Sequence, residues 1–157
     1  MNNVPVSKIK VESKLANIRE SLTELNSLLK LGKEKFLADK KNFAVAEHYL
    51  RRALEAVFDI AGHIISRYPL AAGKRPSTYK GLAMVLAEKG IVNEDFGKNV
   101  LVQMAGYRNR MVHFYDEITP QEMYEIIKNN LSDISTFAGA IVKLLKNPEI
   151  YNLTIEE

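Results

Sequence analysis

Four side chains of different chemistry crowd into one stretch of this chain. They are Arg108, Asn109, His113 and Tyr115, within Tyr107-Arg108-Asn109-Arg110-Met111-Val112-His113-Phe114-Tyr115. An imidazole has an ordinary pKa of about 6.5 and exchanges protons near neutral pH. A guanidinium fork holds an anionic group through paired N–H donors, and a carboxamide can orient either partner. The spacing adds to this. Leu101, Met104, Ala105, Met111, Val112 and Tyr115 recur at the three- and four-residue steps of one helical face, and Arg108 stands in that stripe where an apolar residue is expected. Asn109 and His113, four apart, share an adjoining face. A buried charge is costly unless it is paired or used. Either Arg108 is a structural cation paired to a carboxylate such as Glu55 or Asp59, with His113 finishing the helix, or the stretch is a reactive site.

Other chemistries find little support. The three histidines, His48, His63 and His113, show no His-Glu-x-x-His spacing, and there is no aspartate cluster of EF-hand type, so no metal site is expected. Neither a Gly-x-Gly-x-x-Gly loop nor a P-loop is present. With no cysteine there is no disulfide framework, which agrees with a cytoplasmic address. No apolar run approaches the ~20 residues that span a bilayer, so no membrane partner is expected. Arg51-Arg52 and Lys74-Arg75 could contact phosphates, although such pairs also decorate solvated helix faces and loops. The net charge of +3 is uneven, with nine Lys/Arg against five Asp/Glu in residues 1–42, and a solvated basic first helix is enough to explain it.

Helical periodicity predicts the elements that would position the stretch. A first helix runs from Ser7 to about Lys40 on Ile9, Leu15, Ile18, Leu22, Leu25, Leu28 and Leu29, with a break at Gly32. Asp39-Lys40-Lys41-Asn42 reads as a polar connection. A second helix spans about Phe43 to Tyr68 and stops at Pro69, before the long Leu70–Ser77 loop. A short third helix, about Thr78 to Lys89, ends at Gly90. Asn93 caps the fourth, which carries Phe96, Val100, Leu101 and Met104 into the reactive stretch. Thr119-Pro120-Gln121-Glu122 is a capping box that opens the fifth, and Asn147-Pro148 ends it. The last residues read as a loose tail, and no segment alternates long enough to be a strand. The expectation is one all-α domain over residues 1–157, with its core at about 7–147, built as an antiparallel up-and-down bundle of four to five helices. The wide apolar faces of the fourth and fifth helices suggest cover from a second copy.

Arg108-Asn109-Arg110-Met111-Val112-His113-Phe114-Tyr115 is similar to the Arg-Asn-x-x-Val-His-x-Tyr signature of HepT-like proteins, a branch of the HEPN helical domains. Ala53-Leu54-Glu55-Ala56-Val57-Phe58-Asp59-Ile60 and His63-Ile64-Ile65 resemble that family's second helix. Ser77-Thr78-Tyr79 and Gly90-Ile91-Val92 resemble its loop and the turn before the motif helix. The Ala71–Pro76 loop departs from the pattern by being longer and more basic.

The resemblance implies a HEPN-like fold and a metal-independent endoribonuclease that needs no cofactor. It implies the toxin of a two-gene toxin–antitoxin pair, forming a homodimer, or a higher oligomer, with motifs facing across a cleft that takes RNA. In that chemistry His113 is the general acid/base and Arg108 clamps the phosphate, while Asn109 orients the imidazole or a phosphate oxygen. It further implies a cognate nucleotidyltransferase antitoxin that attaches AMP to Tyr115. Read from the residues alone, Tyr115 equally continues the apolar stripe and closes the helix. HEPN-like bundles also occur as non-catalytic modules that bind, and are modified by, a nucleotidyltransferase, and a purely structural dimeric bundle is a third reading. Retention of both Arg108 and His113 favours the enzyme.

Overall fold

The computed structural model describes residues 4–113 and 118–157. In chain order its helices are α1 (Lys8–Lys30), α2 (Lys33–Ala38), α3 (Lys40–Ile65), α4 (Tyr79–Glu88), α5 (Val102–His113) and α6 (Pro120–Lys146). Cross-links give their directions. The Ser7 N–H donates to Nε2 of His63 at 3.0 Å, Lys14 pairs with Asp59 at 3.1 Å, and Arg52 donates to Asn17 at 2.9 Å. Rising numbers meet falling ones, so α1 and α3 are antiparallel. At the far end, Phe36 of α2 lies 5.4 Å from Tyr124 of α6, ring to ring, and Lys33 reaches Glu125 at 3.2 Å. α6 therefore starts where α1 ends and runs back beside it. The long helices alternate up and down, with α2 and α4 filling connections, as periodicity implied.

The core draws on all of them. Leu15, Ile18 and Leu25 of α1, Leu50, Leu54 and Ile60 of α3, Leu101 just before α5, and Phe137 of α6 are fully buried. Each such side chain contributes about 1.5–3 kcal/mol by leaving water. The broad apolar face of α6 is covered within the chain from Met123 to Leu144. The face of α6 alone therefore does not call for a second copy.

Several boundaries differ from the sequence reading. Asp39 Oδ1 accepts the Lys41 N–H at 2.9 Å, so Lys40 to Asn42 form the capped first turn of α3 and not a connection. α3 ends at Ile65, short of Tyr68. Ile9 is 72% exposed, because Val11 takes the inward position one turn before Leu15. Gly32, at φ +84°, separates α1 from α2 in a conformation that glycine tolerates best. The tail is not loose. A turn of 3₁₀ helix (Pro148–Tyr151) buries Tyr151, Leu153 is buried after it, and the Tyr68 hydroxyl donates to the Tyr151 carbonyl at 2.7 Å. Burial, then the neighbouring Tyr151, pushes the Tyr68 phenol up to about 12. The two chain ends also pair, β1 (Val6–Ser7) lying parallel to β2 (Ile155–Glu156). The packed unit thus reaches past 7–147 at both ends. His63 secures this seam: burial, then Arg67 and Lys10, hold its imidazole below the ordinary value, which suits a neutral ring accepting from Ser7.

One local feature sets the phase of the motif helix. Asn93 Oδ1 caps the turn, accepting from the Asp95 N–H at 2.9 Å, and Phe96–Leu101 then form a π-helical segment that runs into α5. A π-turn acts as one inserted residue, rotating the rest of the helix by about 100°. Gly97 turns inward and Phe96 is left half-buried, while Leu101, Met104, Ala105 and Met111 face the core. The segment presses close to α4: a Cβ on Gly97 would lie 2.7 Å from Ala87 Cβ and 3.1 Å from the Ala83 carbonyl. Gly97→Ala is therefore expected to cost about 1–3 kcal/mol, a Tm loss of roughly 2–4 °C per kcal/mol. Thermal unfolding checks this, and an unchanged Tm would mean that α4 and the π-turn part without strain.

Candidate active site

The stripe that α5 turns inward brings Arg108 against aromatic carbon. Its guanidinium carbon sits 4.5 Å from the centroid of the Tyr79 ring, and Tyr79 stacks on the buried Phe58 at 4.9 Å and 27°. Thr78 caps α4, its Oγ1 accepting the Gly81 N–H at 3.0 Å, and so fixes where Tyr79 begins that helix. The carboxylates expected to neutralise Arg108 are engaged elsewhere, Glu55 with Arg51 at 3.3 Å and Asp59 with Lys14 at 3.1 Å. Arg108 Nε is buried with no hydrogen-bond partner among the described residues. A cation over a ring gains about 0.5–2 kcal/mol, and an unsatisfied buried N–H costs about 1–3 kcal/mol. The two roughly cancel. Stability does not account for this arginine.

Its neighbour Arg110 shows the contrast. Arg110 makes a bidentate pair with Glu122 at 2.6 and 2.9 Å, joining α5 to the first turn of α6. That hydrogen bond, more than the Arg110 charge, holds the Glu122 carboxyl below the usual carboxylate range. Thr119 completes the capping box, its Oγ1 accepting the Glu122 N–H at 3.1 Å. Two arginines, two residues apart, thus have opposite environments.

An open groove of about 420 Å³ lies beside Arg108, lined by Pro76, Ser77, Thr78, Tyr79, Leu82, Arg108 and Asn109. The structure brings Arg108 and Asn109 together there. His113 is exposed at the end of α5 and is not among the groove residues. It stands about 7.5 Å further along the axis than Arg108 and about 140° round it. Tyr115 lies outside the described residues. Tyr79 is the residue that reading by spacing did not single out. The signal in the sequence is an arginine in an apolar stripe that needs a partner, and an aromatic face can supply one as well as a carboxylate. Within the two basic pairs, Arg52 also pairs with Glu20 at 3.2 Å, and Arg75 donates to the Tyr68 carbonyl at 3.3 Å. His48 packs edge-on against Tyr49 at 4.8 Å.

Comparison with known proteins identifies the family. The family model described as Ribonuclease HepT-like matches residues 18–141. The chain belongs to the HepT-like ribonuclease family. A tRNA nuclease HepT of Aphanizomenon flos-aquae is 24% identical over 152 residues, covering 97% of this chain and 96% of that protein. An mRNA nuclease HepT of Shewanella oneidensis is 25% identical over 144 residues, covering 90% and 98%. Among solved structures, the fold is shared with a tri-AMPylated Shewanella oneidensis HEPN toxin in complex with MNT antitoxin, at TM-score 0.75 and 24% identity, covering 85% of this chain and 97% of that one. It is shared too with a toxin–antitoxin complex with AMP-PNP, at TM-score 0.73 and 23% identity, covering 87% and 99%. The fold is thus the HEPN bundle that the motif implied.

Removing a structural buried ion pair and removing a functional cation have different thermodynamic signatures. Arg108→Met should change stability by no more than about 1 kcal/mol, because a lost cation–ring contact is offset by a relieved N–H. Urea unfolding measures it. A loss of about 3–5 kcal/mol, the cost of breaking a buried ion pair, would make Arg108 a structural residue.

Proposed function

We propose that the chain is a HEPN-type endoribonuclease, the toxin of a toxin–antitoxin pair whose antitoxin is a nucleotidyltransferase, and that it works in the cytoplasm. Arg108 carries the reading: a half-buried cation with no carboxylate partner among the described residues, beside an open groove, in a family of ribonucleases. RNA cleavage without a metal needs three things. A base takes the ribose 2′-OH proton; the 2′-oxygen bonds to phosphorus while the P–O5′ bond breaks; an acid protonates O5′. The products are a 2′,3′-cyclic phosphate and a 5′-hydroxyl. His113 supplies the proton transfer and the Arg108 fork the charge stabilisation, which strengthens as charge builds on the phosphoryl oxygens. Asn109, beside Arg108 in the groove, holds a phosphate oxygen or the imidazole.

One imidazole cannot act as base and acid in the same step. A homodimer, or a larger assembly, that sets two motifs face to face supplies the second. Among the described residues no group of three or more His, Asp or Glu is placed to bind a metal ion. No helix among them is long and apolar enough to cross a membrane. Incubating the protein with mixed RNA in EDTA tests the mechanism. Wild type should cleave, and His113→Ala should be slower by about 10²–10⁴-fold. Cleavage that vanishes in EDTA, or that survives the substitution, contradicts it.

Tyr115 is the proposed site of AMP attachment. It follows the end of α5 by two residues, so a phosphodiester placed there would compete with RNA for the Arg108 fork, and the adenosine would obstruct the strand. Tyr115→Phe should keep nuclease activity and escape neutralisation on co-expression with the cognate antitoxin. Mass spectrometry should find AMP on Tyr115 of the wild type and not on Tyr107 or Tyr124. An unmodified Tyr115 in a neutralised toxin would mean inhibition by binding alone.

A further inference from the structure

Arg108 poses a physical problem. A guanidinium held in place by a carboxylate is well oriented, but its charge is spent and its N–H donors are occupied. Arg110, whose two terminal nitrogens both donate to Glu122, shows that state. A guanidinium with no partner keeps its charge and loses its orientation. Phosphate binding in a transition state needs both.

The structure offers a third arrangement. The Tyr79 ring lies 4.5 Å from the Arg108 guanidinium carbon, and an aromatic face attracts a cation through its quadrupole without consuming an N–H donor. The ring is itself fixed. It stacks on Phe58 of α3, which is buried, and it belongs to the first residue of α4, behind the Thr78 cap. Pro76 crowds the start of the same helix, where a Cβ on Gly81 would meet Pro76 Cβ at 2.9 Å. Tyr79 also lines the groove with Arg108 and Asn109. Its immobility comes from two directions, the α3 core and the α4 cap.

We propose that Tyr79 is a positioning residue for RNA cleavage: an uncharged seat that orients the Arg108 guanidinium while leaving its positive charge and the N–H donors of its two terminal nitrogens open to the scissile phosphate. The inference rests on the nuclease reading above, and adds a residue that acts only through Arg108. On this account the ring's electrons matter and its hydroxyl does not. Tyr79→Phe keeps the seat. Tyr79→Leu keeps the apolar volume against Phe58 but removes the quadrupole.

Two measurements on the full chain test this. The first is the NMR signal of the Arg108 Nε–H group, assigned by its disappearance in Arg108→Lys. In wild type and Tyr79→Phe it should be displaced by the aromatic ring current, and in Tyr79→Leu it should return to the ordinary arginine position. The second is RNA cleavage. Tyr79→Phe should keep the wild-type kcat, while Tyr79→Leu should lose about 10²-fold in kcat with KM little changed, since the groove persists. An undisplaced signal in wild type overturns the proposal without any substitution, so a Tyr79→Leu chain that failed to fold would not protect it. Full activity in Tyr79→Leu overturns it as well, as does an equal loss in Tyr79→Phe. If wild type cleaves no RNA, the nuclease reading fails, while the NMR signal still decides whether the seat exists.

Discussion

The contact on which the site depends is a cation resting on an aromatic ring. A protein of this size can bury an arginine cheaply by giving it a carboxylate, and α3 carries two, Glu55 and Asp59, that spacing alone would nominate. Both are occupied by other cations, on α3 and α1. At about 4 Å a carboxylate near the surface would hold a cation by roughly 4 kcal/mol, and a phosphate would have to displace it. Tyr79 holds Arg108 less strongly and leaves its charge intact. For the proposed cleavage the weaker contact is the useful one.

Much of the remaining structure serves that contact. The π-turn at Phe96–Leu101 sets the rotation of α5, and Gly97 lets that turn lie against α4, the helix that carries Tyr79. Arg110 and Glu122 tie the far end of α5 to α6, so α5 is fixed near both ends. The ion pair on Arg110 is partly exposed and worth about 1 kcal/mol or less. Its value lies in direction more than in stability. The seam between the chain ends, with Ser7 on His63 and Tyr68 on Tyr151, closes the opposite end of the bundle.

What could be read in advance was local. The capping box at Thr119 and the stop at Asn147-Pro148 placed α6 to the residue, because caps are short-range chemistry. Gly32 and Gly90 marked their turns through positive φ, at +84° and +72°. The inward stripe of α5 and the standing of Arg108 within it came from periodicity and hold in the structure. What escaped was long-range or too short to show a period. Two-residue strands cannot display alternation, so β1 and β2 read as an irregular start and a tail. A π-turn leaves no composition signal, and Ile9 looked inward because a three- or four-residue step cannot say where a helix meets its neighbour. Tyr79 met Arg108 only once α4 had folded back onto α5. An aromatic partner carries no charge pattern by which to find it.

The central claim is that Arg108 serves the transition state and not the fold. The most direct measurement is single-turnover RNA cleavage by wild type and Arg108→Ala, paired with the affinity of each for an oligonucleotide made uncleavable by a 2′-deoxy ribose. The cleavage rate should fall by about 10²–10³-fold, with the affinity for the uncleavable strand little altered. A rate that holds, or a loss that falls wholly on affinity, would contradict the claim.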